Sequence, residues 1–129
     1  MTVLERFSEI SSKIFMGGQF HPSTSTTVID VIDPATENRL GEIPETTEAE
    51  MEEVISVANN AQKMWSDRSP LDRSHVLHEV ANKMSDMTSM FGEAMTREMG
   101  KPYKESVDEV HWSIHNIRYY AEMGRGETG

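Results

Sequence analysis

The hydrophobic pattern of the chain changes at about residue 46, and this change limits the fold more than any other feature. Residues 14 to 44 form extended apolar segments that are interrupted by Gly, Pro, Ser and Thr, which is typical of short strands joined by turns. After residue 46 the apolar residues recur every three or four positions, as they do in amphipathic helices. The sequence therefore predicts an α+β segment, with short antiparallel strands followed by about four α-helices.

The strands are predicted by three apolar segments: Ile14 to Met16, Val28 to Ile32 and Leu40 to Ile43. Between the last two, Pro34 supplies a fixed backbone angle and Asn38 tolerates a left-handed conformation, so we expect a turn. This arrangement predicts a β-hairpin. Because two or three short strands are marginally stable in water, they must pack on the helices or extend a larger sheet.

The first two helices of the second half are marked by their start signals. Thr47 and Glu50 have the spacing of a capping box. Ser69 is an N-cap residue followed by Pro70, and Asp72 lies in the first turn, where a negative charge is favourable. The apolar faces of these two helices comprise Met51, Val54, Ile55, Ala58, Ala61 and Trp65, and then Leu77, Val80, Ala81 and Met84.

The last two helices are separated by a glycine. A helix from about Thr88 to Met99 is predicted to end at Gly100, which suits a left-handed C-terminal position, and Pro102 starts the next helix. That helix carries a narrow apolar seam, flanked by aromatic residues, that requires a packing partner. The seam consists of Val107, Val110, Ile114, Ile117 and Ala121, and its aromatic neighbours are Trp112, Tyr119 and Tyr120.

Charge and composition argue against several classes of function. The 129 residues have a formal net charge of -10 and no basic patch, which disfavours binding to nucleic acid or to an anionic membrane surface. No apolar run approaches the roughly 20 residues of a membrane helix, and the cytoplasm is the expected location. Since the chain has no cysteine, it contains no disulfide, no thiolate metal site and no cysteine nucleophile.

The two ends of the chain differ from the region between them. Residues 1–13 are predicted to form an amphipathic lead-in that docks on a partner surface, because Val3, Leu4, Phe7 and Ile10 recur at helical spacing. Residues 125–129 are predicted to form a flexible tail, because the end of the chain is rich in glycine and carries no core residues.

Five short motifs stand out within residues 14–124. They are Met16-Gly17-Gly18-Gln19-Phe20, Val31-Ile32-Asp33-Pro34-Ala35-Thr36, Trp65-Ser66, Pro70-Leu71-Asp72-Arg73 and Glu98-Met99-Gly100-Lys101-Pro102. No single motif is specific, but all five in this order resemble the amino-terminal part of the NAD(P)-dependent aldehyde dehydrogenases. Asp33 stands where that family usually has Asn, and it keeps a short acceptor for the turn.

The resemblance implies a fold and a chemistry for a full-length relative. Its fold would be α/β, with residues 14–124 forming the amino-terminal part of a cofactor-binding domain that contains a Rossmann-like sheet. Its reaction would be aldehyde oxidation with NAD(P), through thiolate attack, hydride transfer to nicotinamide and hydrolysis of a thioester.

The family's catalytic residues come later in the chain than this sequence reaches. The resemblance places the glycine-rich cofactor turn, the general-base glutamate and the nucleophilic cysteine beyond residue 129. We therefore assign no catalytic residue and no cofactor-binding residue, and expect this chain alone to be an inactive, truncated segment that holds no cofactor. Its expected partner is the remainder of an aldehyde dehydrogenase, or other copies of itself in a homo-oligomer.

One ligand site is implied within this segment. Several members of the family hold a structural monovalent cation between the strand before the Pro turn and the fourth helix. By alignment of the motifs, the carboxylate would be Asp108, and carbonyl oxygens near Val31 and Ile32 would be ligands suited to a hard cation. The alternative is that Asp108 is a solvated acid on a helix surface.

Two other functions compete with this interpretation. His111 and His115 have i, i+4 spacing with Asp108 on the same face, and His75 and His78 have i, i+3 spacing, which are patterns that could bind Zn²⁺ or Ni²⁺. Histidines on an exposed helix face are also ordinary polar surface. A third hypothesis is a non-catalytic interaction module that docks on a dehydrogenase through an exposed Val107 to Ala121 seam.

Overall fold

A computed structural model of the chain describes residues 3–126, except for the side chain of Leu4. Residues 1 and 2 of the predicted lead-in, and residues 127–129 of the predicted tail, lie outside the described residues. The elements in chain order are α1 (Val3–Ile10), β1 (Lys13–Met16), β2 (Gln19–Pro22), β3 (Val28–Ile32), β4 (Arg39–Pro44), α2 (Glu48–Ser66), α3 (Pro70–Asp86), α4 (Thr88–Met99) and α5 (Tyr103–Met123). The prediction of short antiparallel strands followed by four helices is confirmed.

The described residues form two compact units. One unit comprises residues 3–63 with 97–100, and the other comprises residues 64–96 with 101–126. All four strands belong to the first unit, and most of the helical residues belong to the second. The proposed division of the sequence at residues 13 and 124 stays a prediction.

Strands β3 and β4 form the predicted hairpin. They pair antiparallel, and the register shifts between Val31 and Ile32. Asp33, which is only 6% exposed, closes the turn, since its Oδ1 accepts hydrogen bonds from the amides of Ala35 at 2.8 Å and Thr36 at 3.3 Å. Ile29 and Ile43 are cross-strand partners on one face of the ribbon and are each about half exposed, whereas the other face carries the ion pairs of Arg39 with Asp30 and Glu42.

The left-handed residue of this turn is Glu37, with φ of 59°, so the expectation that Asn38 takes this role is wrong. The amide of Glu37 donates to the carbonyl of Asp33 at 2.8 Å, which makes the segment a single helical turn. A helical turn is commonly ended by a left-handed residue, and here that residue falls one position before Asn38.

Strands β1 and β2 form a second hairpin in a region that we expected only to be extended. Gly17 and Gly18 connect them with φ of 59° and 84°. A two-residue connection with positive φ at both positions matches the twist of two antiparallel strands. Phe15 pairs with Phe20 across the ladder, with ring centroids 5.1 Å apart.

Helix α2 begins with the predicted capping box, and its glutamate does more than cap. The amide of Thr47 donates to Glu50 Oε2 at 3.0 Å, and the amide of Glu50 donates to Thr47 Oγ1 at 3.3 Å. The same carboxylate also accepts from the amide of Thr24 at 2.6 Å and from Ser23 Oγ at 3.0 Å. Glu50 is only 8% exposed, and it therefore fixes the loop before β3 to the first turn of α2.

The core of the second unit is formed by helices α3, α4 and α5. Ala81, Val110 and Ile114 are buried together, and Met84, Phe91, Met95 and Ile117 pack against them. Helix α3 starts as predicted, because Ser69 Oγ accepts from the amide of Asp72 at 3.1 Å. Helix α4 ends at Met99, and Gly100 follows with φ of 72°, as the sequence predicts.

Candidate functional site

Two of the five motifs meet inside the first unit. Gly100 lies against the ring of Pro34, so that a Cβ built on this glycine would lie 2.8 Å from Pro34 Cγ. The turn after β3 and the end of α4 are therefore in direct contact. These motifs are structural, since they hold a strand turn against a helix end.

The residues of the predicted cation site lie in different units. Val31 is half-buried and Ile32 is exposed at the end of β3, at the step where the pairing with β4 changes register. Asp108 is exposed on α5 in the second unit. The assignment of these three residues to a monovalent cation stays a prediction.

A shallow cavity of about 360 Å³ lies on the exposed side of α5. It is lined by Asp108, His111, Trp112 and His115, which are all exposed. Within the described residues, no group of three or more His, Cys, Asp or Glu side chains is arranged to hold a metal ion. The hypothesis of a three-ligand site built from two histidines and Asp108 is therefore wrong for this geometry.

The second histidine pair is not arranged as a pair of metal ligands. His78 Nε2 donates to Glu122 Oε1 at 2.6 Å, which links α3 to α5. The hydrogen bond from His78 lowers the pKa of Glu122 below its ordinary value. His78 is thus engaged by a carboxylate, while His75 is exposed on α3.

The apolar seam of α5 is inside the second unit and not on its surface. Val110, Ile114 and Ala121 are buried, so the interaction-module hypothesis is wrong in its choice of surface. Helix α3 supplies the packing partner that the seam requires. The exposed apolar residues of α5 are instead the aromatic neighbours, Trp112, Tyr119 and Tyr120.

A second cavity, of about 210 Å³, lies in the first unit. Phe7 and Ile10 of α1 line it together with Phe20 and Ile43 from the strands. This cavity was not predicted from the sequence, although the apolar spacing of α1 is a signal for it. The apolar face of α1 thus meets strands of its own unit.

No helix within residues 3–126 combines the length and apolarity needed to cross a bilayer. The 129 residues include no cysteine, so the thiolate that the family resemblance requires for catalysis is not among them. Neither cavity therefore contains that nucleophile, and we assign no catalytic residue to them.

Comparison with known proteins agrees with the motifs. The model of the aldehyde dehydrogenase family matches residues 20–129. The chain is 30% identical to D-glyceraldehyde dehydrogenase (NADP(+)) of Picrophilus torridus, over 91% of this chain and 24% of that protein. It is 33% identical to human mitochondrial methylmalonate-semialdehyde/malonate-semialdehyde dehydrogenase [acylating], over 90% of this chain and 22% of that protein.

The fold agrees as well. The crystal structure of betaine aldehyde dehydrogenase from Staphylococcus aureus in complex with NAD+ superposes with a TM-score of 0.89 at 20% identity, over 98% of this chain and 26% of that chain. The chain spans about a quarter of the length of the curated relatives that it matches. From the motifs, the fold and the match to residues 20–129, we conclude that this chain belongs to the aldehyde dehydrogenase family.

Proposed function

We propose that this chain is a non-catalytic structural part of an NAD(P)-dependent aldehyde dehydrogenase, in which other residues supply the chemistry. The carrying observation is the family match over residues 20–129 in a chain that has no cysteine. Aldehyde oxidation by this family's chemistry needs a thiolate that forms a covalent intermediate and a nicotinamide that accepts hydride. The relatives are named as dehydrogenases of aldehydes, and they are about four times as long.

The surface of the first unit supports a partner. One face of the β3–β4 ribbon carries Ile29 and Ile43, which pair across the two strands and are each about half exposed. A two-stranded ribbon is marginal on its own, and contiguous exposed apolar residues mark surfaces that are covered in a complex. The proposed cover is the remainder of an aldehyde dehydrogenase, and another copy of this chain is the alternative.

The surface of the second unit supports the same proposal. Tyr119 and Tyr120 are exposed on α5, and their rings are in edge-to-face contact with centroids 5.3 Å apart. Large aromatic side chains are the commonest anchors of protein interfaces. The proposed cofactor of the assembled enzyme is NAD(P), and its pyrophosphate and nicotinamide would be bound by residues outside this chain.

Activity is the first test. The purified chain is incubated with an aldehyde and either NAD⁺ or NADP⁺, and the absorbance of reduced nicotinamide is followed. We expect no turnover, because no thiolate is present. Catalysed, aldehyde-dependent reduction by the pure chain would overturn the proposal.

Complementation is the second test. The chain is co-expressed with the Picrophilus torridus relative from which the matching segment has been deleted, and the two are passed together over a size-exclusion column. We expect co-elution, and we expect Ile29→Asp to weaken it because a charge is placed on the apolar ribbon. Asn60→Asp adds the same charge to an exposed position of α2 and serves as the matched control. If the two polypeptides never co-elute, the proposed partner is wrong.

A further inference from the structure

The exposed side of α5 carries a group of side chains that the proposed function does not use. His111, Trp112 and His115 line one cavity together with Asp108. Within residues 3–126, none of these four side chains makes a hydrogen bond or an ion pair, whereas the side chain of His78 does. Imidazole nitrogens that are exposed and not engaged by the protein remain available to an external ligand.

The spacing of the two histidines is suited to chelation. Residues four apart on a helix lie one above the other, with their Cβ atoms about 5–6 Å apart. A metal ion lies about 2.0–2.1 Å from each ligating imidazole nitrogen, so the two nitrogens need to converge to within roughly 4 Å. Because each ring carries its nitrogens beyond Cβ, two rings on neighbouring turns can reach one ion without a change in the helix.

We propose that His111 and His115 form a two-histidine chelating site for a borderline divalent transition ion, Cu²⁺ or Ni²⁺, on the surface of α5. Imidazole suits these ions, and affinity along the first row rises toward copper. The protein supplies two ligands, and water completes the coordination. Asp108 lies one turn before His111 and acts through its negative charge, while Trp112 forms the apolar wall of the cavity.

Trp112 provides a direct readout, because it lies between the two histidines in the sequence and lines the same cavity. Bound Cu²⁺ quenches the fluorescence of a nearby indole. Titration of the full 129-residue chain with CuCl₂ is therefore expected to give saturable quenching that EDTA reverses. Calorimetric titration with NiCl₂ gives the stoichiometry at this site.

Matched variants separate this site from other copper ligands. His111→Gln and His115→Gln are each expected to weaken binding at least about tenfold, because a chelate depends on both donors being held together. His75→Gln combined with His78→Gln removes the same number of imidazoles from α3 and is expected to leave the quenching unchanged. Trp112→Phe is expected to keep the NiCl₂ isotherm while most of the copper quenching is lost.

Three results would overturn the proposal. The first is quenching that is the same in the His111→Gln and His115→Gln variants as in the parent chain. The second is quenching lost with the His75 and His78 substitutions instead. The third is a NiCl₂ isotherm without a saturable step. Because the replaced side chains are exposed, the variants are expected to fold, and circular dichroism at 222 nm checks this.

Discussion

Gly92 of α4 lies against Val107 of α5, so closely that a Cβ built on the glycine would be 2.7 Å from Val107 Cγ2. The ring of Tyr103 lies 3.3 Å from the same position. Real Cβ atoms do not approach another atom so closely, and valine is stiff about χ1. The contact therefore fixes how near the two helices can come.

Replacing Gly92 by Ala is expected to destabilise the protein, which is the reverse of the usual effect. In a helix interior, glycine to alanine normally stabilises by about 0.5–1 kcal/mol. Here the added methyl overpacks the contact with Val107, which typically costs about 1–3 kcal/mol. Urea unfolding measures the change, and adding Val107→Ala is expected to recover part of the loss. A stabilised single variant would refute the close contact.

Replacing Gly100 by Ala is expected to destabilise for two reasons that a control separates. Its φ of 72° costs an L-residue about 1–2 kcal/mol, and the new Cβ would strike the ring of Pro34. Gly18 has φ of 84° but nothing within 4 Å of its Cβ position, so Gly18→Ala carries only the backbone cost. The free energy of unfolding should fall further in Gly100→Ala than in Gly18→Ala. Equal losses in the two variants would mean that the contact with Pro34 does not contribute to the effect.

Replacing Glu50 by Gln is expected to change the dependence of stability on pH. Hydrogen bonds from the amides of Thr24 and Thr47 lower the pKa of Glu50 from 4.5 to about 2. A carboxylate whose pKa is lower in the folded state contributes fully above pH 4.5, and its contribution is lost as the pH falls toward 2. Melting temperatures between pH 2 and pH 6 should therefore fall less steeply in the variant. Exposed Glu53→Gln is the control and should keep the parent's slope.

Replacing Ile114 by Ala tests the placement of the α5 seam in the core. Ile114 is 3% exposed, and removing a buried side chain of this size costs about 2–5 kcal/mol. Trp112 lies two positions earlier and is 71% exposed, so Trp112→Ala is expected to change stability by about 0.5 kcal/mol or less. Similar losses in the two variants would contradict the burial pattern of α5.

Replacing Asp108 by Asn tests the predicted monovalent cation. If carbonyl oxygens of Val31 and Ile32 and the carboxylate of Asp108 hold K⁺ or Na⁺, melting is expected at a higher temperature in either chloride than in tetramethylammonium chloride of the same concentration. The variant should lose this difference. If the parent chain has the same melting temperature in all three salts, the assignment of these three residues to a monovalent cation is wrong.

The helix boundaries were predictable because each depends on local chemistry. Thr47 with Glu50, and Ser69, satisfy backbone groups within a few residues of themselves, and Gly100 adopts the positive φ that ends α4. The β1–β2 hairpin was also predictable in principle, since the Gly17-Gly18 pair is a known two-residue turn signal, but we treated this region as extended chain.

Features that depend on distant residues were not predictable. The hydrogen bonds from Ser23 and Thr24 to Glu50 join segments that no local pattern connects. For the same reason, the spacing of α5 showed which residues share a face, but not that α3 covers the seam.

The carboxylate of Glu50 also has a consequence for hydrogen exchange. The amides of Thr24 and Thr47 donate to the same side chain, although they lie in different segments. Neither amide can exchange its hydrogen with water until its hydrogen bond to the Glu50 carboxylate breaks. The two amides should therefore take up deuterium at a common rate, which is slower than that of the neighbouring loop amides. Exchange at Thr24, in the loop before β3, would then report the opening of the first turn of α2.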